Sequence, residues 1–126
     1  MNTESVDYQN VKYIECLPGG GLLDSEAGAV DLVSICGEAG THNLVIHGEA
    51  LSPDFFDLKT GLAGVILLKF SNYHLRTALI AHSSAVNQGR FREMVLETNR
   101  GNQFRVFLAK EDAVNWLMSP HPNASL

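Results

Sequence analysis

Four short apolar runs alternate with helix-length segments along this chain, and that alternation restricts its fold more than any other feature. The runs are Val11 to Leu17 (VKYIECL), Asn43 to Glu49 (NLVIHGE), Arg76 to His82 (RTALIAH) and Phe104 to Ala109 (FRVFLA). Each has the length of a strand rather than a helix. Each link between them is long enough to return the chain for a strand in the same direction. The expected order is therefore β-α-β-α-β-α-β-α, a mainly parallel four-stranded sheet with right-handed crossovers, packed with helices. In the first run Val11, Tyr13, Glu15 and Leu17 share one face, and Lys12, Ile14 and Cys16 the other.

The links read as helices. Asp24 or Ser25 caps the first, whose apolar stripe is Ala29, Leu32, Val33 and Cys36 at i, i+3, i+4, i+7. Gly40 stops it. Ser52-Pro53 predicts a short turn over Pro53 to Phe56. Asp57 is then the expected cap of a longer, very apolar helix from Leu58 to Phe70. Gly61 and Gly64 each cost a helix about 1 kcal/mol relative to alanine, so a close approach of the backbone to the sheet or to a docked molecule is expected of them. Phe91, Met94, Val95 and Thr98 set a third helix from Arg90 to Asn99, stopped by Gly101. The last runs from Glu111 to Met118 and packs through Val114, Trp116 and Leu117. Residues 1–10 read as a flexible lead-in, 11–118 as a single domain, and 119–126 as a loose tail.

Composition narrows the function. With 126 residues, one domain is expected. A net charge of −5 with scattered basic residues argues against a nucleic-acid partner. The polar N-terminus lacks the pattern of a signal peptide. No apolar run approaches the ~18 residues of a membrane span. Cys16 and Cys36 fall at core positions, where buried free thiols in a reducing cytoplasm are expected. Asn123-Ala124-Ser125 matches a glycosylation sequon by chance. Pro18-Gly19-Gly20-Gly21 reads as a turn, because it lacks the Lys-Ser/Thr of a phosphate loop and the GxGxxG frame.

No catalytic set stands out. His42, His47, His74, His82 and His121 are scattered, and Cys16 and Cys36 form no CxxC, so neither a metal nor a cofactor is called for. Ser83-Ser84 beside His82 lacks a nucleophile elbow. Asp54 and Asp57 are explained by capping and by the helix N-terminus. Thr60 stands out more. It falls in the first turn of a helix that follows a parallel strand, where α/β sheets collect ligands and where an anion, including a phosphate on the protein itself, is favoured. Asn99-Arg100-Gly101-Asn102-Gln103 is a second polar knot, at a helix C-terminus.

Two resemblances follow from these residues. The stretch from Pro53 to Gly64 (PDFFDLKTGLAG), with Lys69-Phe70-Ser71-Asn72-Tyr73, resembles the signature of a small bacterial domain-of-unknown-function family, number 4180. Glu97 to Gln103 (ETNRGNQ) is similar to its second signature, usually written ESNRG. The family has no established activity, so the resemblance implies a fold and not a reaction. At Ala81-His82-Ser83-Ser84 the chain departs from the family pattern, which has a glycine and an acid there. More distantly, Asp57 to Leu62 (DLKTGL) resembles the DSxGL motif of STAS domains with one extra residue. In those domains a partner kinase phosphorylates the serine and switches partner binding. The resemblance leaves Thr60 as the only hydroxyl for that role.

The expectation is thus a cytoplasmic, single-domain, STAS-like α/β sandwich acting as a non-catalytic interaction or regulatory module. Its surface would comprise Asp54, Asp57, Thr60 and Gly61, with Asn99 and Arg100 as the second knot, and its partner would be a kinase or regulator. The alternative is a small-molecule binder or enzyme at the same helix start, using Asp54, Asp57 and Arg100. A third reading is a homo-oligomer built on exposed Phe55 and Phe56.

Overall fold

A computed structural model describes residues 2–19, 23–87 and 89–119. One sheet holds five strands in the order β1-β2-β3-β4-β5: β1 Thr3–Tyr8, β2 Val11–Cys16, β3 Asn43–His47, β4 Arg76–Ile80 and β5 Phe104–Phe107. The helices are α1 Glu26–Ala39, α2 Leu62–Asn72, α3 Ser83–Val86, α4 Gly89–Thr98 and α5 Lys110–Met118. The four runs that led the sequence reading are β2 to β5, and they are parallel, each paired with the next in the chain.

The expected four-stranded sheet needs correction at its start. Residues 3–10, expected as part of a flexible lead-in, form a strand and a turn. Thr3–Tyr8 pairs antiparallel with β2, from Thr3 opposite Cys16 to Tyr8 opposite Val11. The sheet is therefore five-stranded and mixed. Gln9 and Asn10 join the two strands with φ of 51° and 67°. Two successive positive-φ residues form the hairpin turn whose twist matches that of paired strands. β1 gives no alternation signal because it is an edge strand of which only Thr3 and Val6 are half-buried.

Right-handed crossovers between consecutive strands place the crossover helices on one face of the sheet. There Leu32 and Cys36 of α1, Ile66 and Phe70 of α2, and Phe91 and Val95 of α4 pack on Ile14, Leu44, Ile46, Leu79 and Val106. The fifth helix goes to the other face, where Ala113, Val114, Trp116 and Leu117 pack on Tyr13, Val45 and Ala78. α5 lies over β3, β4 and β5, so β1 and the near half of β2 project beyond it.

Arg76, at the start of β4, fixes the far end of α5. Its Nη1 donates to the carbonyl of Ser119 at 2.8 Å and its Nε to that of Asn102 at 3.2 Å. Its guanidinium carbon lies 4.3 Å from the Trp116 ring centre. Part of the carbonyl demand that a helix leaves at its C-terminus is met in this way. Among the described residues no helix is long and apolar enough to cross a membrane. Asn123 and most of the C-terminal tail lie outside the described residues.

Candidate functional site

The conspicuous stretch after β3 folds into a corner of two 3-10 turns. Ser52 Oγ accepts from the Asp54 N–H at 3.2 Å and opens the turn Pro53–Phe55, as its Ser-Pro start predicts. Asp57 Oδ1 accepts from the Lys59 N–H at 3.1 Å and opens the turn Leu58–Thr60. The expected helix from Leu58 to Phe70 is thus broken. Gly61 takes φ 79°, a left-handed conformation that side chains resist, and α2 begins only at Leu62. Asp57 caps the short turn and not the long helix.

Thr60 locks the corner. Its hydroxyl donates to the Asp54 carbonyl at 2.6 Å, with the Asp57 carbonyl at 2.9 Å as a second acceptor. The same oxygen accepts from the Leu62 N–H at 3.2 Å. Thr60 is nevertheless exposed, as are Asp54, Asp57 and Gly61. Of the two uses expected of Gly64, approach of the backbone to the sheet or to a docked molecule, the first does not hold. Gly64 faces outward, and a side chain added there would meet nothing within 4 Å.

Phe55 and Phe56 hold this corner against α4. Phe55 is 2% exposed, and both rings lie within aromatic contact of Phe91, at centroid distances of 6.1 and 5.1 Å. They form no exposed patch, which removes the basis on which they suggested an oligomer. Between the corner and the start of α4 lies a cleft of about 500 Å³, whose walls include Phe56, Asp57, Lys59, Arg90 and Phe91. Arg90 belongs in sequence to a loose basic group with Arg92, Arg100 and Arg105, of which it alone is among the residues lining this cleft.

Asn99 and Arg100 are elsewhere. α4 starts at the carboxyl ends of the strands, beside the corner, and its ten residues carry the chain about 15 Å towards their amino ends. Asn99 Oδ1 accepts from the Val106 N–H at 2.8 Å, and its Nδ2 donates to the Val106 carbonyl at 3.2 Å. Its amide thus mimics a neighbouring strand on the outer edge of β5. Arg100 is exposed beyond it. The two knots do not form one surface, and Arg100 does not join Asp54 and Asp57 around a ligand.

The other face of the sheet holds a charged cluster that the sequence did not reveal. Glu15 is 3% exposed. One carboxylate oxygen lies 2.6 Å from His47 Nε2, and the other accepts from Lys110 Nζ at 2.9 Å. Burial pushes the Glu15 carboxyl up, but its bonds to His47 and Lys110 outweigh this and hold it below the usual range. The bond to Glu15 raises the Lys110 ammonium. The one available signal was an acid flanked by Ile14 and Cys16 in the buried half of its strand. His82, by contrast, is 80% exposed and pairs with Glu49 at 2.9 Å, as a loop-facing histidine would.

Among the described residues the fold defines an α/β protein with a mixed five-stranded sheet, the crossover helices α1, α2 and α4 with the short α3 on one face, and α5 on the other. Residues 8–117 match the model of a family described as a domain of unknown function (DUF4180), and the chain belongs to that family. Among curated proteins no match is found. Its two signature stretches now have distinct places: one builds the Thr60 corner, and the other blocks the β5 edge.

Proposed function

We propose that the protein is a non-catalytic interaction module of STAS-like regulatory type, binding a protein partner through the outer face of α2 with Thr60 at its start. One observation carries this reading. On α2 Gly64, Val65 and Leu68 are all exposed, with Gly61 exposed just before the helix, while Ala63, Ile66 and Phe70 fill the core side. α2 thus has a second apolar stripe facing water. Val65 is 43% and Leu68 63% exposed. The two glycines leave its upstream half flat, so a partner's backbone has room to approach.

Thr60 suits a switch because the corner depends on its proton. A phosphate would remove the donor that faces the Asp54 and Asp57 carbonyls and add a charge of about −2 beside two carboxylates. The corner would open, and the start of the α2 stripe would move with it. Cytoplasmic location and a kinase as modifying partner belong to this proposal. The cleft beside the corner favours the second reading, in which a small anion sits between Lys59 and Arg90.

The test is affinity capture from lysate of the source cells with four baits: wild type, Leu68→Asp, Thr60→Glu and Leu96→Asp. Leu96 is a comparably exposed leucine on α4, at 56%. A partner retained by wild type and Leu96→Asp but lost by the other two is expected. Equal capture by all four, or no specific partner, would reject the module.

A further inference from the structure

The step between α5 and the projecting β1–β2 hairpin forms a cavity of about 390 Å³ on the face opposite the crossover helices. That volume lies in the range of small-molecule sites. Its walls are Tyr8, Tyr13 and Val114, and its polar groups are Lys110, Glu111 and Asn115. The two tyrosines come from diagonal positions across the hairpin, since Tyr13 opposes Val6 and Tyr8 opposes Val11. Diagonal side chains on one face of a strand pair remain within reach of each other when they are aromatic.

The charges at the cavity are fixed and of both signs. Lys110 spends one of its three N–H donors on buried Glu15, and its side chain is still 49% exposed. Its ammonium is held at the rim, with two donors left over. Glu111 is the next residue and supplies an acceptor. Asn115 stands one helical turn beyond Glu111 on the same face of α5 and supplies both a donor and an acceptor. Because Glu15 balances Lys110 and Glu111 adds a second acid, a simple anion gains little here. A molecule carrying both charged groups on one carbon complements both rim residues at once.

We infer that this cavity is a binding site for a free α-amino acid with an aromatic side chain. Its carboxylate meets Lys110, its ammonium meets Glu111 and the Asn115 carbonyl, and its ring lies against Tyr8, Tyr13 and Val114. Glu15 is a positioning residue for Lys110. The site is separate from the α2 surface, which lies across the sheet, so either can fail without the other.

The experiment is an NMR titration of the isotope-labelled full chain with L-phenylalanine, phenethylamine, 3-phenylpropionate and L-alanine. These probes lack, in turn, nothing, the carboxylate, the ammonium and the ring. Saturable shifts at Tyr8, Tyr13, Lys110 and Val114 with L-phenylalanine are expected; phenethylamine and 3-phenylpropionate should each bind at least about tenfold more weakly, the loss of one charge-assisted contact, and L-alanine at least as much more weakly through the lost burial of the ring. Lys110→Gln should cost L-phenylalanine a similar factor and leave phenethylamine unchanged. Glu111→Gln should do the reverse, sparing 3-phenylpropionate. Both side chains lie at the surface, so the variants remain folded, as their spectra will report. Absence of saturation with L-phenylalanine up to its solubility limit would overturn the assignment. So would equal binding of all four probes, or shifts confined to residues outside the cavity.

Discussion

Replacing Glu15 with glutamine removes the buried carboxylate beneath α5. The shape is kept, and the carboxamide can still accept from Lys110, but neither contact is charge-assisted by a carboxylate any longer. A hydrogen bond to an ionised group contributes about 1.5–3 kcal/mol against about 1 kcal/mol for a neutral one. Lys110 is 49% exposed, so solvent screens most of its share. The contact between His47 and Glu15, at 17% and 3% exposure, keeps its value. The net loss is about 1 kcal/mol at neutral pH, roughly fivefold in the folding equilibrium. The sign with pH follows from the depressed carboxyl. Its stabilisation is present above the unfolded value of 4.5 and is lost as pH falls through the lower folded value. Urea unfolding followed by the fluorescence of Trp116 measures this at pH 7 and in steps below 4.5. The gap between wild type and Glu15→Gln should be full at neutral pH and shrink with acid. Equal stability at pH 7, or a gap that persists in acid, would refute the argument.

Two further outcomes follow from particular contacts. Asn99→Ala removes both bonds to Val106 and should cost about 1–2 kcal/mol in the same unfolding assay. It also bares the outer edge of β5, so concentration-dependent self-association should increase over wild type in sedimentation. Burial pushes the Cys36 thiol up to about 11 and raises Cys16 as well. A thiol reagent at mildly alkaline pH should therefore leave the native protein untouched and label both cysteines in denaturant; fast labelling of the native protein would contradict this.

The legible parts of the chain were those governed by local periodicity. The stripe from Ala29 to Cys36 gave α1, and Ser25 and Gly40 bound it as a side-chain cap and a left-handed stop. The four apolar runs gave the parallel strands to within a few residues. The Leu58–Phe70 helix was read too long because its apolar spacing continues through Gly61, and spacing carries no information about φ. Thr3–Tyr8 escaped because a polar edge strand buries too little to leave a pattern. The candidate site was legible only in its first half. Asp54, Asp57, Thr60 and Gly61 are close in sequence and form one corner. Asn99 and Arg100 are separated from them by the length of α4, which the motif spacing does not encode.

By itself the sequence determined the alternation of strand and helix, and with it the mainly parallel sheet. These follow from short-range rules: side-chain period, capping, and the handedness of a crossover. Tertiary structure alone decided that β1 completes the sheet, that α5 leaves the hairpin uncovered, and that Glu15 meets His47 and Lys110. Those partners lie 32 and 95 residues from Glu15 along the chain. Their meeting is set by which strands neighbour each other and by the tilt of one helix. No local pattern records either, because the free energy that fixes them comes from packing the whole sheet at once.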